Sequence, residues 1–264
     1  MAARYNVQLS PEIFQRQRYL AGSDDRRLAE LTEALADPAI RAVFAARGGY
    51  GTMRLLHRLK NQRPAKPVIG FSDITALHQW QQRDGFVSIH GPVLTQLASL
   101  GKPTSERLFS LLESRSPAEP LHGTVSFVQG SARGRLIGGN LSVFTELLGT
   151  PFVPNLDSAV LLLEDVGERP YRLDRLWTHL ELAGVFGRIS GIVLGSFTHC
   201  EERGESYTSQ DVLRELAVAT GLPCSAGFPI GHGDVNEPVP LGVQVHLDAT
   251  SNRLTFLESA VLEQ

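Results

Sequence analysis

Apolar residues recur at helical spacing from Leu20 to Ala36, with Leu28, Leu31 and Leu35 on one stripe. Ser23 is placed to cap this helix, and Asp24 and Asp25 fall in its first turn. After Pro38 the pattern shortens to the apolar run AVFAA at 42–46, which stops at the glycines of RGGYG. Short apolar runs ended by glycine are the mark of buried parallel strands. TMRLLHRL at 52–59 returns to helical spacing, and PVIGF at 67–71 is a second buried strand. SDITALHQWQQR at 72–83 is another helix and FVSIHGPV at 86–93 a third strand. This alternation predicts an α/β unit built on a doubly wound, Rossmann-like parallel sheet.

The pattern changes at SRSPAEPLHG, residues 114–123, where Ser and Pro accumulate as they do in linkers. Beyond it TVSFVQ, AVLLLEDV, GIVLGSFTH, VQVHL and RLTFLE read as strands, with one strong helix at YRLDRLWTHLELAG. The expected organisation is an N-terminal domain over 1–113, the linker, and a strand-rich mixed α/β, barrel-like domain over 124–264. No repeat of fixed period and no low-complexity tract interrupts this layout.

Composition narrows the function classes. Of 264 residues, 42% are hydrophobic and 20% charged, enough apolar material for an ordinary core. A net charge of −3 argues against general affinity for nucleic acid or anionic membranes. AVLLL at 159–163 is too short to span a bilayer, and the first twenty residues lack the apolar centre of a secretory signal. The two cysteines, Cys200 and Cys224, cannot make a disulfide framework or a four-cysteine zinc site. A cytoplasmic protein without a metal centre is the expectation.

Three glycine clusters could cradle an anion. RGGYG at 47–51 lacks the spacing of a dinucleotide fingerprint, and GRLIGGN at 134–140 lacks the Lys-Ser/Thr pair of a P-loop. The third surrounds His232 in GHG. A glycine pair after a strand is by default a tight turn. RGGYG lies between a strand and a helix, however, so its amides would point at whatever occupies the strand ends.

Ser72 stands between a buried strand and a helix, the setting of a nucleophile elbow, though Ile74 replaces the second glycine of G-x-S-x-G. The competing reading is a plain helix cap. A nucleophilic serine needs a base and a carboxylate to orient it. Among eight histidines, His57, His78 and His179 fall in helical patterns, His122 in the linker and His246 in a strand. His90 ends a strand and stays open. His199, Cys200 and Glu201 adjoin on an extended chain and so cannot converge on one ion. His232, between two glycines, is the best base. Glu164 follows four apolar residues, and a carboxylate there is costly unless hydrogen-bonded or functional. Its structural alternative is an ion pair with Arg172 or Arg175; Asp165 and Glu168 read as structural or solvated.

Taken together, RGGYGTMRLL, GFSDITALH, GRLIGGNLSVFTELLGTPF, LLLEDVGERPYRLDRLWTHLELAG, GIVLGSFTHCE and PIGHG…PLG resemble, in order from Tyr19 to Leu241, the LD-carboxypeptidase family of serine peptidases. The resemblance implies a Ser-Glu-His triad on Ser72, Glu164 and His232, and an oxyanion hole from the backbone amides of Gly49 and Asp73. It implies a cofactor-free cytoplasmic homodimer of peptidoglycan recycling. Such an enzyme removes the terminal D-alanine from murein tetrapeptides by cutting the meso-diaminopimelate–D-Ala bond through an acyl-enzyme. Asn140 and Arg135, beside the GGN turn, are the expected substrate-binding side chains.

Members of the family usually begin with one further strand and helix. This chain opens at what resembles the end of that unit, so an unpaired sheet edge is expected unless the sheet is completed differently. The same superfamily includes microcin C immunity peptidases, which act on peptidyl or aminoacyl adenylates and tend to carry a tryptophan after the GGN turn. LSVFTELLGTPF has Phe144 and Phe152 instead, favouring the murein substrate. The rival of another class is a non-catalytic anion or nucleotide binder using RGGYG and GGN as cradles.

Overall fold

A computed structural model describes residues 4–59, 66–97, 99 and 101–261. The first half alternates as its pattern predicts: α1 (Asp24–Ala36), β1 (Val43–Phe44), α2 (Met53–Leu59), β2 (Val68–Gly70), α3 (Thr75–Arg83), β3 (Ser88–His90) and α4 (Lys102–Glu113). Ser23 caps α1 by accepting the Arg26 N–H at 3.2 Å. Strands β1, β2 and β3 pair in parallel. Successive strand residues face opposite sides. Val68 therefore meets the leucines of α1 and α2 and Trp80 of α3, while Ile69 and Ile89 meet Leu108 and Leu111 of α4. Both faces are covered by helices, as in a doubly wound sheet.

The second half contains β4 (Leu121–His122), β5 (Val125–Val128), β6 (Ser131–Asn140), α5 (Leu141–Glu146), β7 (Val160–Val166), α6 (Pro170–Leu182), β8 (Gly191–Thr198), α7 (Ser209–Thr220), β9 (Cys224–Ala226), β10 (Val239–Leu241), β11 (Gln244–Asp248) and β12 (Arg253–Phe256). Its eight-stranded sheet runs β4-β12-β11-β6-β7-β8-β9-β5. One face of β6, β7 and β8 packs against α5, α6 and α7 through Phe144, Trp177 and Leu213. The other face curls onto β11 and β12 through Leu162, Val193, Val245, Leu247 and Phe256. That curled, strand-rich half is the barrel-like unit expected.

It is more regular than the apolar pattern suggests. β6 to β9 are parallel and are joined through α5, α6 and α7, so the second half carries its own β-α alternation. β6 escapes a pattern reading because glycines and arginines break its apolar run. They are there for packing: a Cβ on Gly138 would stand 2.0 Å from the Leu162 carbonyl oxygen of β7.

A strand pairing joins the halves. β10, late in the chain, runs antiparallel to β3 and completes the first sheet as β1-β2-β3-β10. β4, at the end of the Ser/Pro-rich stretch, pairs with β12. β1 is the outer strand of the first sheet among the described residues. No helix among them is long and apolar enough to cross a membrane.

Candidate active site

Parallel strands deliver their carboxyl ends to one edge, where loops begin and ligands bind. Ser72 follows β2 and opens a short 3₁₀ turn, Ser72–Ile74, that leads into α3. Its φ is +63°, a left-handed value that costs a non-glycine residue about 1–3 kcal/mol unless the surroundings enforce it. The helix-cap alternative fails on geometry, since neither the 3₁₀ turn nor α3 has a side-chain cap. The RGGYG turn lies directly against the serine. A Cβ on Gly48 would stand 3.1 Å from Ser72 Cβ and 3.3 Å from Oγ.

A clasp that local pattern does not show locks the two turns together. The buried Asp73 carboxylate accepts the Thr52 N–H at 2.9 Å and the Thr52 hydroxyl at 2.6 Å. Asp73 lies in the first turn of this helical segment, so its own N–H has no helical acceptor. Gly49, exposed at φ +135°, carries the other amide expected of an oxyanion hole.

Glu164 ends the apolar run of β7 and is wholly buried. Alternation sends Leu162 and Glu164 to the curled inner face, and Leu163 and Asp165 to the helical face. Opposite Glu164, the β7–β8 register slips: Leu163 pairs with Leu194, but Asp165 pairs with Phe197. The extra β8 residue makes a bulge at Gly195–Ser196. Ser196 Oγ donates to the Ile230 carbonyl at 3.0 Å and accepts the Gly233 N–H at 2.9 Å, holding the GHG loop. His232 Nδ1 then meets Glu164 Oε2 at 2.6 Å. Gly231, at φ +107°, permits this approach, because a Cβ there would stand 2.4 Å from Oε2. The His232 ring packs on Phe71, the residue before Ser72, with centroids 4.6 Å apart. Ser72 Oγ itself makes no hydrogen bond among the described residues; such bonds often tighten only when substrate binds.

Burial alone would raise the Glu164 carboxyl, but the His232 bond and the adjacent His90 ring outweigh it and hold it down at about 2. The carboxylate is therefore ionised at neutral pH. It fixes the proton of a neutral His232 on Nδ1 and leaves Nε2 free to accept one. His90 Nε2 lies 3.7 Å from Glu164 Oε1, an electrostatic contact too long for a hydrogen bond. Burial and the nearby His90 push His78 down to about 3, against a 2.8 Å bond to the Gly70 carbonyl, so His78 is a neutral donor.

The other expected residues fall elsewhere. Arg135 is five positions back from Asn140 along β6, about 16 Å at strand rise. It donates to the Gly242 carbonyl and lies 3.9 Å from Glu258, away from the carboxyl end of β6. Closeness in sequence to the GGN turn does not survive the extension of a strand. Asn140 reaches the edge, in register with Glu164, but works locally. Its Oδ1 caps α5 through the Val143 N–H and its Nδ2 donates to Asp165 at 2.9 Å. Asp165 is buried rather than solvated; it also accepts the Ser142 N–H and hydroxyl and the Val166 N–H. Glu168 pairs with Arg172, and Arg175 lies over the Tyr171 ring, so neither arginine serves Glu164. Cys200 is directed at the Thr198 carbonyl, while Glu201 caps α7 through Ser209. Burial pushes the two thiols up to about 11 and about 12, out of nucleophilic range.

Residues 1–91 match the profile of the LD-carboxypeptidase N-terminal domain and residues 133–247 that of the C-terminal domain. A putative carboxypeptidase of Synechocystis is 39% identical over 96% of this chain and 85% of its own length. The murein tetrapeptide carboxypeptidase of Pseudomonas aeruginosa is 37% identical over 91% of this chain and 82% of its own. Among solved structures, a muramoyltetrapeptide carboxypeptidase from Oxalobacter formigenes superposes with a TM-score of 0.81 at 28% identity, covering 91% of this chain and 86% of that one. The microcin C7 self immunity protein MccF superposes at 0.83, covering 96% and 86%, but with 23% identity, a likeness of fold alone.

Proposed function

This chain belongs to the LD-carboxypeptidase family of peptidases, and from that premise we propose that it is a serine carboxypeptidase that removes the terminal D-alanine of murein tetrapeptides. His232 takes the Ser72 proton on Nε2 as Ser72 Oγ attacks the carbonyl carbon of the diaminopimelate–D-Ala bond. The developing oxyanion is held by the N–H groups of Gly49 and Asp73. His232 returns the proton to the departing amine. A water, deprotonated by the same ring, then releases the acyl group. Glu164 stays ionised throughout and stabilises the imidazolium. On this reading the enzyme works in the cytoplasm as a homodimer, in the recycling of wall peptides.

The observation that carries the proposal is the 2.6 Å contact between His232 and the wholly buried Glu164, with the Ser72 turn packed on the same ring through Phe71. The relatives named as murein peptide carboxypeptidases support the substrate class. So does the stretch after GGN: Phe144 is buried in the core and Phe152 lies under the Arg83 guanidinium, so neither offers an open platform for a purine.

A tetrapeptide ending in D-alanine should be cleaved and the same peptide ending in L-alanine spared, because a pocket that holds the carboxylate misorients the carbonyl of the mirror centre. Ser72→Ala should lower turnover on the order of 10⁴-fold without unfolding the chain. Equal rates on the two peptides, or activity only on aminoacyl adenylates, would discard the murein reading. Tight phosphate binding with no fluorophosphonate labelling of Ser72 would leave a binder instead.

A further inference from the structure

His90 closes β3, beside the strand that delivers Ser72, and is wholly buried. Neither ring nitrogen has a hydrogen-bond partner among the described residues, and neither does Oε1 of Glu164. The unpaired atoms face each other, with His90 Nε2 3.7 Å from Oε1, while Oε2 takes the His232 contact. A buried, ionised oxygen without a donor is costly. The other neighbours offer Oε1 nothing better. His78, from α3, has its ring 6.2 Å from that of His90 and spends its N–H on Gly70; Phe71 is apolar; and His232 is committed to Oε2.

We propose that His90 is a positioning residue for the carboxylate: through Nε2–H it donates to Glu164 Oε1, closing a gap under 4 Å as the imidazolium of His232 forms. Glu164 is then held between two imidazoles, its rotation about the last side-chain bond stopped and its basicity toward His232 tempered. This rests on the reading of Ser72, Glu164 and His232 as the catalytic set.

The test compares His90→Leu, which removes the donor, with His90→Gln, whose amide nitrogen can occupy the place of Nε2. Each variant is counted by fluorophosphonate titration of Ser72. His90→Leu should lower kcat per titrated site about 10- to 100-fold with little change in KM. Its acid limb in kcat/KM should move to higher pH, because a carboxylate stripped of one donor binds the imidazolium more tightly. His90→Gln should recover most of the rate and return the limb. A purely structural role would lower the melting temperature and the titrated fraction and leave the limb in place. The role of His90 is overturned if His90→Leu keeps kcat and limb, or if His90→Gln does no better. Should His90→Leu not fold, His90→Asn, whose amide stops short of Oε1, replaces it under the same expectations. Wild-type protein that takes no label at Ser72 sinks the catalytic reading itself, whereas normal labelling with unmoved variants sinks only His90.

Discussion

Two acids stand side by side at the end of β7, and the pleat sends them to different work. Glu164 faces inward to His232, while Asp165 faces α5 and accepts four hydrogen bonds. Glu164→Gln keeps the shape but offers Nδ1 an amide, so the imidazolium loses its counter-charge. Turnover should fall up to about 10⁴-fold with the melting temperature nearly unchanged. Asp165→Asn should do the reverse. Its amide turns an N–H toward donors in Ser142 or Asn140, costing about 1–3 kcal/mol of stability while the folded enzyme stays active. Kinetics and melting on both variants decide the matter; a fully active Glu164→Gln enzyme would remove the residue from the mechanism.

At the scale of elements, the candidate site is a meeting of turns, each held by backbone geometry. The bulge in β8 brings Ser196 to the GHG loop, and Gly231 lets that loop press against Glu164 with no side chain between. Gly231→Ala adds one methyl at φ +107°, 2.4 Å from Oε2, so either the loop or the carboxylate must move. About a hundredfold loss of kcat is expected, since a displacement near 1 Å costs that much in a positioned site. Gly233→Ala, where a Cβ meets nothing nearer than 3.2 Å, should be much milder. Parity between the two variants would mean that the close approach at Gly231 has no catalytic consequence.

For the whole molecule, the complete burial of His78 shows in the dependence of stability on pH. Its pKa is depressed to about 3 from the ordinary 6.5 of histidine, so between these values the unfolded chain binds a proton that the native state excludes. Stability therefore falls as pH drops through that window, by at most about 1.4 kcal/mol per unit. Glu164, depressed from 4.5 to about 2, adds a loss of the same sign at lower pH. Melting curves from pH 7 to 4 should show the decline, and His78→Gln should flatten its upper part. An unchanged slope in that variant would place the titration elsewhere.

Much of this was legible in the chain. Ser72 at a strand-to-helix turn, Glu164 at the end of a buried run and His232 between glycines each break a local rule, and residues that break local rules are visible one at a time. The first sheet was legible too, because its apolar runs are unbroken. What the chain could not show is whatever depends on close approach or pairing between distant segments. β6 hid behind glycines whose purpose is contact with β7, and β10 joined a sheet built some 150 residues earlier. Arg135, near the GGN turn in sequence, was carried away by the rise of the strand, whereas His90 and the Thr52–Asp73 clasp came in from other elements. Periodicity records which face of an element is buried, not what that face meets. Only the packed structure decided that a buried carboxylate would lie between two imidazoles.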